Sequence, residues 1–122
     1  MIAWLDQQDE ESLFMSVISL GEIEKGIIKL AATDPGRSQK LIAWLARVEQ
    51  RFSGRILPLD AAAFHAWAQF AARTEIAGQP LPLMDALVMA IAQCHGLTIV
   101  TRNLRDFTIY PQVFNPWALA ME

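Results

Sequence analysis

The sequence predicts an α/β fold built on a parallel sheet, and two observations predict it. Strand-like runs alternate with helix-like ones along the chain, and the strand-like runs are apolar at successive positions. Continuous apolar strands are what a parallel sheet covered by helices on both faces requires. With 122 residues, 53% hydrophobic and 19% charged, residues 1–122 are expected to form a single domain with an ordinary packed core.

The elements follow in order. Residues 2–8 fit the end of a helix, and "DQQDEE" breaks it as a polar turn. "LFMSVIS" (13–19) is short, apolar and rich in β-favouring residues, so it is read as a buried strand. Leu20, Ile23, Ile27 and Leu30 recur at helical spacing, which predicts an amphipathic helix over 19–30 starting near Ser19. "AATDPGRS" (31–38) is turn chemistry, with Pro-Gly as the break.

A second helix is expected over 38–52, with Leu41, Trp44, Leu45, Val48 and Phe52 on one stripe and Gly54 past its end. "RILPLD" (55–60) reads as a strand, and Asp60 as the N-cap of an alanine-rich helix reaching about residue 77. "GQPLPL" (78–83) is a loop. "MDALVMAIAQCHG" (84–96) is a nearly wholly apolar helix stopped by Gly96. A strand at 97–101, a polar loop and an edge strand within "VFNPW" (113–117) complete the order.

Composition narrows the function classes. The net charge of −3 and pI near 5.3 argue against a broad basic face of the usual nucleic-acid-binding kind. A lone cysteine, Cys94, excludes an internal disulfide framework and fits a reducing cytoplasm. No apolar run reaches the ~18 residues that span a bilayer, and "MIAWLDQQDEE" lacks the pattern of a signal peptide. The expectation is a soluble cytoplasmic domain with no membrane partner. Gly-rich phosphate loops, Cys/His metal clusters and Gly-x-Ser-x-Gly elbows are absent from the sequence.

Three acidic residues interrupt apolar stretches: Glu22 in "SLGEIEKG", Asp85 in "PLMDALVMA" and Asp106 in "RNLRDF". In a parallel α/β sheet the helix N-termini and the loops after the strands share the carboxyl edge, where such folds bind ligands. Glu22 is expected in the first turn of its helix, Asp85 at the start of the next but two, and Asp106 just past the strand at 97–101. Gathered like charges repel, and a hard divalent cation relieves them; oxygen ligands select Mg²⁺ or Mn²⁺. The plainer reading stays open beside this one. Glu22 and Asp85 are also what the helix macrodipole favours at a helix start, and Asp106 is a fair turn cap.

"SVISLGEIEKGI", "GRILPLDAAAFHAWAQFAA", "GQPLPLMDALVMAIAQCHGLTIVTRNLRDF" and "NPW", in this order over nearly the whole chain, resemble the PIN-domain family, and within it the VapC-like toxin ribonucleases of toxin–antitoxin pairs. The resemblance implies a three-layer α/β/α sandwich around a central parallel sheet. It implies a Mg²⁺- or Mn²⁺-dependent endoribonuclease that cleaves an RNA substrate, forms a homodimer and is held inactive by a cognate antitoxin. On matching positions Glu22, Asp85 and Asp106 correspond to the family's second, third and fourth acidic residues and its metal ligands. Thr101 and Asn103 match the polar pair that steadies a water or a carboxylate there.

One departure stands out. Members of the family open with a short apolar strand ending in an aspartate, whereas "MIAWLDQQDEE" resembles the segment a strand and a helix later, so the first strand and first aspartate have no counterpart. That strand is by resemblance the middle one of the sheet, and its loss is expected to leave a gap in hydrogen bonding as well as in ligation. Asp6 and Asp9, in the polar turn, do not replace it. A truncated chain and a degenerate one fit equally, and the rival function is a catalytically inactive PIN-like module that binds another protein. A third reading is a purely structural α/β domain.

The remaining residues take structural roles. His65 and His95 read as surface or helix-end histidines, Cys94 as a buried small hydrophobe, and Trp4, Trp44, Trp67 and Trp117 as core or dimer contacts. Arg102 and Arg105 flank the expected site, and Lys25 and Lys29 look like a solvated face.

Overall fold

Ser16 decides where the first long helix begins. Its Oγ accepts the Ser19 N–H at 3.0 Å, so the chain turns helical at Val17, and helix α1 spans Val17–Leu30. The expected seven-residue strand before it shrinks to β1, Met15–Ser16. The β-branched pair Val17-Ile18 suggested strand, but a serine cap satisfying an otherwise orphaned donor outweighs the small β preference.

The structure is a computed structural model, and it describes residues 7–100, Tyr110, and the backbone of residues 113 and 114. The described residues fall into two compact units. In the unit Leu13–Pro58, α1 is followed by α2, Pro35–Arg51, which packs against it. The Asp-Pro-Gly run opens this helix and does not break it. Asp34 is the N-cap, accepting the Arg37 N–H at 3.1 Å, and Pro35 occupies the first turn, where its missing N–H costs nothing. Strand β2, Ile56–Leu57, then pairs in parallel with β1, Met15 opposite Ile56 and Ser16 opposite Leu57.

Two side chains lock this unit together. Ser38 is 1% exposed and its Oγ donates to the Ile27 carbonyl at 2.8 Å, tying α2 to the end of α1. Arg55 donates to the Leu13 carbonyl at 2.7 Å and to the Arg51 carbonyl at 2.6 Å, and its guanidinium lies 4.8 Å from the centre of the Phe52 ring. One cation thus caps the α2 C-terminus and holds the entry to β1.

The second unit contains residues 7–12 and the described residues from Leu59 on. Of the N-terminal helix expected over 2–8, Gln7 is helical and Gln8 is already a bend, residues 2–6 lying outside the described residues, and a single 3-10 turn, Glu10–Ser12, follows. Asp60 caps α3, Ala61–Ile76, by accepting the Ala63 N–H at 3.0 Å. Helix α4, Leu83–Cys94, packs along α3 and holds six of the eleven buried hydrophobic residues among those described, with Met89, Ala90 and Ile91 essentially inaccessible. The glycine stop is Gly96, at φ +62°, with the Leu97 N–H reaching back to the Ala92 carbonyl at 2.9 Å.

Strand β3, Ile99–Val100, pairs in parallel with β4, Val113–Phe114, the expected terminal strand. Met89, Ala92, Ile99 and Tyr110 form the core here, flanked by Phe70, Leu81, Val88 and Leu97. The Tyr110 hydroxyl donates to the Leu97 carbonyl at 2.6 Å.

The four strands thus make two parallel pairs, with no ladder recorded between β1–β2 and β3–β4 among the described residues. Parallel strands alternating with helices are the α/β architecture expected. Cys94 corrects the sequence reading: it is exposed, because the buried face of α4 ends at Ala92 and the last turn faces outward. Among the described residues no helix is long and apolar enough to cross a membrane.

Candidate active site

Glu22 and Asp85 are the two expected acidic ligands that the structure describes. Glu22 is exposed on α1 and lies in the second turn, because the Ser16 cap starts the helix at Val17, two residues earlier than the sequence suggests. The macrodipole acts within the first turn, so a helix-start charge no longer accounts for Glu22. One turn earlier, Ser16 and Ser19 form a hydroxyl pair, the Ser16 Oγ donating to the Ser19 Oγ at 3.1 Å. The sequence reading missed this pair, and its only signal was a serine three residues ahead of another at the head of an amphipathic run.

Asp85 occupies the first turn of α4 and is half-buried. The residue before that helix, Pro82, makes no side-chain cap. An anion in the first turn is favoured by the unsatisfied N–H groups there, so Asp85 is stabilised where it stands whether or not it holds a ligand. Asp85 belongs to the second unit and Glu22 to the unit Leu13–Pro58.

Asp106, Thr101 and Asn103, together with Arg102 and Arg105, lie outside the described residues. Among the described residues no group of three or more His, Cys, Asp or Glu side chains is placed to hold a metal ion. Asp9 is occupied locally: its Oδ1 accepts the Glu11 N–H at 3.2 Å and its carbonyl accepts both the Ser12 N–H and the Ser12 Oγ. That agrees with leaving it out of the candidate ligands. His65 and His95 are exposed, as surface histidines are.

Comparison with known proteins gives the lineage. The PIN domain model matches residues 2–111. Toxin FitB of Neisseria gonorrhoeae is 31% identical over 122 residues, covering 96% of this chain and 84% of that protein. VapC ribonuclease Y4jK of Sinorhizobium fredii is 29% identical over 120 residues, with the same shares covered. Among solved structures, FitAB bound to an IR36 DNA fragment superposes with a TM-score of 0.84 at 29% identity, over 95% of this chain and 81% of that one. The parallel strand pairs and these likenesses have one common source: this chain belongs to the PIN-domain family, among its VapC-like members.

Proposed function

We propose that this chain is a divalent-metal-dependent endoribonuclease, the toxin half of a toxin–antitoxin pair, which hydrolyses RNA phosphodiesters. The observation that carries the proposal is its likeness, over 96% of its length, to a protein named as a ribonuclease. In this reading Glu22, Asp85 and Asp106 hold Mg²⁺ or Mn²⁺, while Thr101 and Asn103 orient a water or a carboxylate beside them. The donors are all oxygens, which suits a hard cation, and since no trio is complete among the described residues, the reading requires Asp106. The ion, when bound, supplies Lewis acidity, making a water more acidic and stabilising charge that develops on the phosphate. Asp85 contributes a carboxylate from the first turn of α4, and Glu22 contributes a second from a helix anchored by Ser16. The protein works in the cytoplasm as a homodimer and is silenced by a cognate antitoxin.

A second reading, an inactive PIN-like module that binds another protein, is favoured by one observation: Asp9, in the segment that opens the chain, is taken up by its own turn. Titration calorimetry with Mn²⁺, alongside cleavage of single-stranded RNA, separates the two. The nuclease reading expects Mn²⁺ binding and metal-dependent cleavage by the parent chain. It expects Asp85→Asn to weaken Mn²⁺ binding about tenfold or more, since a neutral amide is a poor ligand for a hard ion, while the folded state loses only the helix-start charge effect of about 0.3–1 kcal/mol. Equal Mn²⁺ affinity in that variant refutes the site; binding of Mn²⁺ without cleavage supports the module.

A further inference from the structure

The net charge of −3 conceals a strong segregation. Seven of the ten Lys and Arg residues lie between residues 13 and 58, against four of the thirteen Asp and Glu, so this segment carries +3 and the rest of the chain −6. The four basic residues of α2 are Arg37, Lys40, Arg47 and Arg51, all exposed. Arg37, Lys40, Trp44 and Arg47 recur at intervals of three, four and three, which at 3.6 residues per turn confines them to an arc of about 80° and a length of about 15 Å. Arg51 continues the spacing but has contacts of its own within the fold. Glu49, the one acidic residue of the helix, falls outside that arc, and the buried Ser38 and Leu45 lie on another face.

A solvated charged face would account for Arg37, Lys40 and Arg47. It does not account for Trp44, a residue 42% exposed in their midst. Among the described residues none of the three cations is paired with a carboxylate. Cations spaced along a backbone with an aromatic ring between them are the chemistry that holds single-stranded nucleic acid, the cations on phosphates and the ring under a base. The geometry points to this stripe of α2 as a binding surface for single-stranded RNA. The inference rests on the ribonuclease reading, for which it supplies the surface along which substrate lies.

The test is fluorescence anisotropy with an end-labelled 20-nucleotide oligouridylate in EDTA, so that no cleavage intervenes, over a range of salt. The full chain is compared with Arg37→Gln/Lys40→Gln/Arg47→Gln, Trp44→Ala and Trp44→Phe. Each neutralised phosphate contributes about 0.7 to the salt slope on single strands, so the triple variant is expected to lose about 2 from the slope and more than tenfold in low-salt affinity. Trp44→Ala should weaken binding about tenfold, Trp44→Phe should retain it, and RNA should quench tryptophan emission of the parent chain. Wild-type slope and affinity in the triple variant overturn the inference, as does loss of a protein partner with RNA affinity unchanged. Mn²⁺ titration of the same proteins keeps the two proposals apart. Stripe-dependent RNA binding without Mn²⁺ binding sinks the nuclease and leaves the surface standing; Mn²⁺-dependent cleavage that ignores the stripe does the reverse.

Discussion

Replacing Ser38 by alanine tests how the α1–α2 pair is held. At the end of α1 the Ala31 N–H donates to the Ile28 carbonyl at 3.2 Å, an i to i−3 bond, and the Ile27 oxygen takes its donor from the Ser38 hydroxyl at 2.8 Å. Ser38 is 1% exposed and Ile27 is buried, so water cannot readily replace the hydroxyl. Leaving a buried carbonyl without its partner costs roughly 1–3 kcal/mol. Alanine returns about 0.5 kcal/mol of helix propensity over serine. The expected net loss is about 1.5 kcal/mol, which for an m-value near ~2 kcal/mol/M in urea lowers the midpoint by about 0.7 M. Urea unfolding followed by circular dichroism reads it, with Gln39→Ala, exposed on the same helix, as the propensity control. A Ser38→Ala protein as stable as the parent, with the control unmoved, would show that the hydroxyl bond is energetically idle.

Two more predictions follow from the second unit. Burial raises the Tyr110 pKa above its ordinary 10.0, so the folded state favours the neutral phenol. Its stability contribution is therefore complete below pH 10 and is lost as the pH rises through the folded-state value. Tyr110→Phe should cost about 1 kcal/mol at neutral pH through the lost bond to Leu97 and should flatten the alkaline limb of stability against pH. Absorbance titration of the parent chain, whose only tyrosine is Tyr110, should give a midpoint above that of the unfolded chain, and an equal midpoint would contradict the burial. Gly96→Ala meets no atom within 4 Å but places a side chain at φ +62°, so a loss of about 1–2 kcal/mol of purely backbone origin is expected; an unchanged urea midpoint would refute it.

Helices were legible because their apolar period survives in the sequence, as in Ile27 of α1 and Leu45 of α2. Strands were legible in place but not in length. Residues 13–19 and 55–60 carry apolar runs of strand type, yet only Met15–Ser16 and Ile56–Leu57 pair, since neighbouring polar caps claim the backbone first. Asp34-Pro35 was misread because the same dipeptide opens a helix as readily as it closes one. Asp85 was legible as a helix-start carboxylate. Glu22 was expected in the first turn of its helix and lies in the second, since the Ser16 cap, marked only by another serine three residues on, starts the helix before Ser19. Ser38 and Arg55 had no signal at all: each acts on a carbonyl 11 or 42 residues distant, a relation that no local pattern encodes.

The unit Leu13–Pro58 is one uninterrupted stretch of chain, and the bonds that close it are internal to it: Met15 with Arg55, Ser38 with Ile27, Arg55 with Leu13. The other unit joins residues on both sides of that stretch. During synthesis the ribosome therefore releases every partner of the first unit before α3 and α4 exist. Domains assemble in the order in which their contacts become available, and this hairpin can consolidate early, with Glu22 already in place on it. Asp85 arrives only with the later helices, so Glu22 and Asp85 are fixed in the chain at different stages of vectorial folding.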